Sequence, residues 1–206
     1  MTAAILEIDT PHGPAKAHLH LVDAPRGLLV LGHGAGGGVA ARDLVAVTAA
    51  ACAESVAVAL VEQPYRVAGR RSPAPAHQLD AAWTVIVRQL LTGEPAGRPL
   101  IVGGRSSGAR VACRTAEATG ASGVLCLAFP LQPPRRAGAA PAPSRLPELD
   151  AVQVPTLVVQ GTQDRFGMPP AGARRTVVQV AGDHSLRTDL QSVASAVRSW
   201  LTTVIG

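Results

Sequence analysis

Eight short runs of the chain are apolar in the manner of β-strands: residues 4–8, 17–22, 27–32, 56–62, 99–104, 123–129, 155–161 and 175–182. Several, such as GLLVLG and VAVALVE, lack polar alternation, the pattern of strands covered on both faces in a parallel sheet. Between them lie helix-type stretches at residues 43–54, 78–91, 107–119 and 188–201. The first and last open on Arg42-Asp43 and Thr188-Asp189, whose side chains are suited to capping the free amides of a helix start. From Gly27 onward strand and helix alternate, which predicts right-handed βαβ crossovers and an α/β fold. Two Pro/Arg-rich loops, residues 62–78 and 130–149, are each flanked by strand and helix of one continuing pattern, so neither reads as a boundary. No internal repeat is present, and the expectation is a single domain over residues 1–206, with 47% hydrophobic content sufficient for a sizeable core.

Composition narrows the functional classes. No run reaches the roughly 18 apolar residues of a membrane helix, and the N-terminus lacks the basic and apolar segments of a signal peptide, so no membrane association and a cytoplasmic location are expected. The net charge of +5 comes from 18 Arg and a single Lys scattered along the chain, and aromatic residues make up only 2%. Base-stacking platforms need more aromatics than that, which argues against a nucleic-acid partner. Cys52, Cys113 and Cys126 sit in Ala/Val-rich segments without metal or redox spacing and read as buried thiols.

The stretch GLLVLGHGAGGG, residues 27–38, presents bare backbone amides to something negative. Gly32, Gly34 and Gly37 satisfy a G-x-G-x-x-G dinucleotide pattern, but the acidic Glu62 follows Gly32 by 30 positions where about 20 is expected. The next helix also begins only near Asp43, too late for its N-terminus to hold a pyrophosphate. No Lys-Ser or Lys-Thr follows to complete a phosphate-binding Walker loop, and no cofactor is expected.

A second glycine turn carries different chemistry. G-x-S-x-G stands at Gly104, Arg105, Ser106, Ser107 and Gly108, between an apolar strand and a helix. That context strains Ser106 and lifts its hydroxyl clear of the sheet, while the glycines remove Cβ atoms that would collide with neighbouring backbone. A seryl hydroxyl needs a base and an acid to become nucleophilic. Asp164 follows the strand-type run at 155–161, and His184 follows that at 175–182. The order serine, aspartate, histidine, each after its own strand, is that of an α/β-hydrolase triad. Asp183 is the competing acid, but adjacent side chains seldom meet, so it is expected to cap the turn or orient the His184 loop.

The other polar candidates have plainer roles. His18 and His20 share one strand face with no third ligand, so a solvated face is expected and no metal site. His33 is expected to fix its glycine turn by hydrogen bonding. Arg105 either attracts an anionic substrate group with Arg70 and Arg71 or pairs with an acid nearby. Phe129, Pro130 and Leu131, with Tyr65 and Val67, are the expected apolar wall of the pocket.

These motifs, LGHGAGGG, GGRSSGARVA, GTQD and GDHSL, resemble the α/β-hydrolase superfamily over essentially the whole chain. HGAGG with GRSSGARVA and EQPYRVAGRR is similar to the small lidless group that includes the testis-expressed and chromatin-complex-subunit hydrolase-like proteins, with dienelactone-hydrolase-like enzymes as broader relatives. The resemblance implies an eight-stranded, mostly parallel sheet with an antiparallel edge, helices on both faces and no large cap. It also implies an oxyanion hole from the Ser107 amide and that of Ala35, with Gly36 as the alternative. The expected function is a serine hydrolase acting on a small ester, thioester or related acyl compound. The alternative is a non-catalytic scaffold using Arg66, Arg70, Arg71, Arg135 and Arg136 to bind a protein. A homodimer is compatible with either.

Overall fold

The computed structural model describes residues 2–92, 97–133, 138 and 142–206. Eight strands form one sheet: β1 (Thr2–Thr10), β2 (Gly13–Leu21), β3 (Gly27–Gly32), β4 (Val56–Glu62), β5 (Leu100–Arg105), β6 (Gly123–Leu127), β7 (Thr156–Gly161) and β8 (Arg175–Val180). Their spatial order is β1-β2-β4-β3-β5-β6-β7-β8. β2 runs antiparallel to both β1 and β4, and every other pair is parallel. The sheet is thus eight-stranded and mostly parallel, as the apolar runs imply. β1 and β2 are longer than the runs at 4–8 and 17–22, because a two-residue turn at Pro11-His12 lets pairing continue to Thr10 and Gly13. The Thr10 hydroxyl closes that turn on Gly13 O at 2.7 Å.

Among the described residues six helices accompany the sheet: α1 (Arg42–Ala53), α2 (Pro64–Val67), α3 (Ala76–Leu90), α4 (Ser107–Thr119), α5 (Leu146–Asp150) and α6 (Leu190–Ile205). The short α2 and α5 lie in the segments read as loops, and each has a proline in its first turn, where a missing N–H costs nothing. Asp189 caps α6 by accepting from Ser192 N at 2.9 Å. The expected cap at α1 is absent: Ala41 is its N-cap residue, and Asp43 lies inside the first turn, buried. Between β6 and β7 the described residues form only α5, and there is no cap domain.

Side-chain alternation divides the interior into two layers. In β3, Leu28 and Val30 face a cluster with Trp83 and Ile86 of α3 and Ala109 and Ala112 of α4. Leu29 and Leu31 face a cluster with Leu44 and Val47 of α1 and Val193 and Val197 of α6. β3, β6 and β7 are buried along their whole lengths, which explains their unbroken apolar sequences. Among the described residues no helix is long and apolar enough to cross a membrane. Cys113 and Cys126 are buried, as the sequence implies, whereas Cys52 is only half-buried.

Where β5 ends, three backbones almost touch. A Cβ on Gly104 would lie 2.5 Å from Gly32 O, and one on Gly108 would lie 2.6 Å from the Gly32 carbonyl carbon and 2.9 Å from His33 O. By contrast, a Cβ on Gly36 meets nothing within 4 Å. Gly108→Ala is therefore expected to destabilise the fold by about 2–3 kcal/mol through overpacking, lowering Tm by about 5–10 °C. Gly36→Ala should leave Tm within about 1 °C, and thermal melts of the two variants side by side check the contrast.

Candidate active site

The close approach at Gly104 and Gly108 aims Ser106. This residue joins β5 to α4 with φ 52° and ψ −106°, a conformation that L-residues rarely adopt and that only a constrained turn maintains. Its N–H donates to Leu127 O of β6 at 2.9 Å, which ties the turn to the sheet. The side chain is half-buried. His184 arrives from the turn after β8, and its Nε2 lies 2.9 Å from Ser106 Oγ. Asp164 arrives from the turn after β7, and its Oδ2 lies 2.7 Å from His184 Nδ1. A glycine makes this meeting possible: a Cβ on Gly161 would lie 2.5 Å from both Gly182 O and Asp183 O, so the two turns pack backbone to backbone.

Asp164 is 9% exposed and fully engaged. Oδ1 accepts the Phe166 N–H at 2.9 Å, and Oδ2 accepts from Gln160 Nε2 at 2.8 Å besides facing His184. Gln160 is wholly buried, and its Nε2 also reaches Phe129 O and Gly167 O. A carboxylate held by donors on both oxygens stays an acceptor, so His184 carries its proton on Nδ1 and leaves Nε2 free toward Ser106. The Phe166 ring packs on the imidazole with centroids 4.3 Å apart. Asp183 points elsewhere, accepting from Ser185 N at 2.8 Å and from the Ser185 hydroxyl.

The glycine turn after β3 lies against the serine: a Cβ on Gly34 would sit 3.6 Å from Ser106 Cβ and 3.0 Å from Arg105 Nη1. Gly37 N donates to Gly34 O at 3.1 Å, closing a β-turn with Ala35 and Gly36 at its tip. Two buried side chains hold this turn. The Tyr65 hydroxyl donates to Ala35 O at 3.0 Å, and His33 Nδ1 donates to Gly34 O at 2.9 Å while its Nε2 accepts Gln63 N–H at 3.2 Å. Both ring nitrogens of His33 are thus used in a neutral imidazole, and burial above all pushes its pKa below the ordinary value. Among the described residues, neither Ala35 N nor Ser107 N has a backbone acceptor.

Several expected pocket residues lie elsewhere. His33 and Tyr65 are buried beneath the turn, since their polar atoms are needed to shape it, and Tyr65 also lines a small cleft that does not include Ser106. Phe129 is fully buried in the layer shared with α3 and α4, and Pro130 is buried too, so neither walls an open cleft. Arg70 and Arg71 are exposed, and Arg70 borders a separate small cleft with His12 and Gln78. Of the arginines read as a partner surface, Arg66, Arg70 and Arg71 lie beyond β4, while Arg135 and Arg136 fall outside the described residues. His18 pairs with Glu62 at 3.3 Å, and no group of metal-ligating side chains occurs among the described residues.

Arg105 resolves toward an acid partner. Its Nε lies 2.9 Å from Asp43 Oδ2, and its Nη2 donates to His184 O at 3.0 Å. Asp43 is 1% exposed, and burial raises its pKa, with Arg105 opposing that rise. One guanidinium therefore braces α1, the serine turn and the histidine turn together. Gln160, Asp43 and Phe166 are the neighbours that the sequence reading missed; the signal for Gln160 is a lone amide inside the apolar VVQG.

A mostly parallel sheet that brings a serine, a histidine and a carboxylate together at its carboxyl edge defines the α/β-hydrolase class of protein. The chain belongs to the alpha/beta hydrolase domain family, whose model matches residues 25–204. It is similar in fold to XC6422 from Xanthomonas campestris, described as a serine hydrolase without a lid, with TM-score 0.77, 17% identity and coverage of 98% of this chain and 95% of that one. Est1E from Butyrivibrio proteoclasticus aligns with TM-score 0.78, 16% identity and 98% of each chain, and a dienelactone hydrolase from Anabaena variabilis with TM-score 0.74, 14% identity and 98% of each chain. No curated protein matches the sequence.

Replacing Arg105 tests the brace. Arg105→Gln leaves the Asp43 carboxyl buried without its counter-charge and should cost about 3–5 kcal/mol at neutral pH. Burial, the largest influence, is then opposed only by the backbone N–H groups of Leu44 and Asp43, so folding favours protonated Asp43, and stability is expected to rise as pH falls from neutral toward the ordinary carboxylate range. Urea titrations across that range check this, and Arg105→Gln/Asp43→Asn should recover part of the loss at pH 7.

Proposed function

We propose that the protein is a serine hydrolase of small carboxylic esters, thioesters or related acyl compounds. The observation that carries this reading is the continuous series of short contacts from Ser106 Oγ through His184 to Asp164, 2.9 and 2.7 Å long. Family membership supports it, and Est1E, similar in fold at 16% identity, is described with ferulic acid bound.

In this mechanism Ser106 Oγ attacks the acyl carbonyl carbon as His184 Nε2 takes its proton. The carbonyl π-electrons move onto oxygen, and the resulting oxyanion accepts from the Ser107 and Ala35 amides. Each such donor typically accounts for about 10²- to 10³-fold in rate. The tetrahedral intermediate collapses, His184 returns the proton to the leaving group, and an acyl-Ser106 ester remains. Water, deprotonated by the same Nε2, attacks the acyl carbon; the second tetrahedral intermediate breaks its bond to Ser106 Oγ, His184 returns the proton to that oxygen, and the acid leaves. Asp164 holds the imidazole in its working tautomer and stabilises the imidazolium that forms in each half-reaction. Gln160 and Phe166 N–H keep Asp164 oriented for that task.

Ser106→Ala is expected to lower kcat/KM for a short aryl ester by about 10³-fold or more, and a fluorophosphonate probe should label the native chain at Ser106 but not the variant. Unchanged turnover in the variant overturns the proposal. The acid assignment has its own check: Asp164→Asn should lower kcat by about 10³- to 10⁴-fold, whereas Asp183→Asn should stay within about twofold.

A further inference from the structure

A cleft of about 430 Å³ opens beside Arg105 and Ser185, the chain neighbours of Ser106 and His184. Its walls are the end of the glycine turn at Gly37 and Gly38, the start of α1, and the turn that follows His184. Three guanidinium groups line it: Arg42 from the first position of α1, Arg105 from the serine turn, and Arg187 from the histidine turn. The one carboxylate lining it, Asp43, is already matched by Arg105 at 2.9 Å.

Two positive charges are left over. Among the described residues neither Arg42 nor Arg187 lies within 4.0 Å of a carboxylate oxygen, whereas Arg110, Arg114 and Arg175 all do. The Ser185 hydroxyl and N–H hold the exposed Asp183 carboxyl below its ordinary pKa, and Arg187 adds to this only from beyond ion-pair distance. The start of α1 adds nothing to this charge: its N-cap residue Ala41 makes no side-chain cap, and the Asp43 carboxylate within the first turn already accepts the Leu44 N–H at 3.0 Å. Two arginines from separate segments, neither in an ion pair among the described residues, beside a buried acid already neutralised by Arg105 make a positively charged concavity next to the reacting pair.

We propose that this cleft binds a second, anionic group of the substrate, a carboxylate or phosphate carried by the same acyl compound that Ser106 attacks. This rests on the hydrolase reading and narrows its substrate class. Arg42 and Arg187 would each donate to the anion, and Arg105, fixed by Asp43, forms the floor. The sequence reading grouped Arg70 and Arg71 with Arg105 for this purpose. The fold separates them from it and brings Arg42 and Arg187 there instead.

The test compares kcat/KM for 4-nitrophenyl butyrate with that for the 4-nitrophenyl half-ester of glutaric acid, in the native chain and in Arg42→Gln/Arg187→Gln. The native chain should prefer the charged ester, and the double variant should lose about tenfold of that preference, equivalent to about 1.4 kcal/mol. Added salt should erode the native preference, because exposed charges are screened. A ratio that is the same in both proteins overturns the proposal. Calorimetric binding of free glutarate and of inorganic phosphate to the Ser106→Ala chain provides a readout without turnover. Binding that disappears with both arginines supports the cleft even if no ester is ever cleaved, an outcome that would sink the hydrolase reading alone. Ester turnover with neither anion bound sinks the cleft alone. The tighter of the two anions identifies the class of group it accepts.

Discussion

The arrangement depends on a backbone contact rather than on any side chain. Gly32, Gly104 and Gly108 bring the end of β3, the end of β5 and the start of α4 so close that no Cβ fits between them. That contact allows Ser106 to hold a positive φ, and it sets the glycine turn after β3 against the same serine. Gly161 repeats the device on the other side, letting the Asp164 and His184 turns cross with only backbone between them. Four turns at the carboxyl edge are thus registered to one another by peptide planes, which have far fewer ways to rearrange than side chains do.

A ring of polar groups supports these turns from beneath. His33 and Tyr65 fasten the glycine turn, Gln160 fastens Asp164, and the Arg105–Asp43 pair fastens the His184 backbone. Each is buried or nearly so. A buried polar group keeps its position only while its partners remain, so the ring couples the turns energetically as well as geometrically.

Much of the fold was legible in the chain because its signals are local. Runs such as GLLVLG and VAVALV are apolar on both faces, the composition that a strand buried on both faces mostly requires. The proximity of Ser106, Asp164 and His184 was legible for a related reason: each follows a strand of one parallel sheet, so all three emerge at one edge. What could not be read is contact between elements distant in the chain. Asp43 looks like a helix cap in sequence, and only the approach of Arg105, 62 positions later, turns it into a buried ion-pair partner. Phe129 looks like pocket wall because it ends an apolar run near the site, yet it is fully buried in the layer that includes α3 and α4. The antiparallel edge was expected, but the full length of β1 and β2 was missed because Pro11-His12 matches no strong hairpin dipeptide, the turn's closure coming from the Thr10 hydroxyl.

The absence of a cap domain between β6 and β7 bears on timing and selectivity. In enzymes that close over their substrates, opening often limits the cycle, and the closing motion itself discriminates between ligands. Among the described residues only α5 lies between β6 and β7, so closure of a cap domain is not a device of this fold. Recognition then falls to groups already in place before a ligand arrives, around a serine that is half-buried. Such a site trades the dielectric advantage of enclosure for unhindered exchange, and its selectivity is set by static shape and charge.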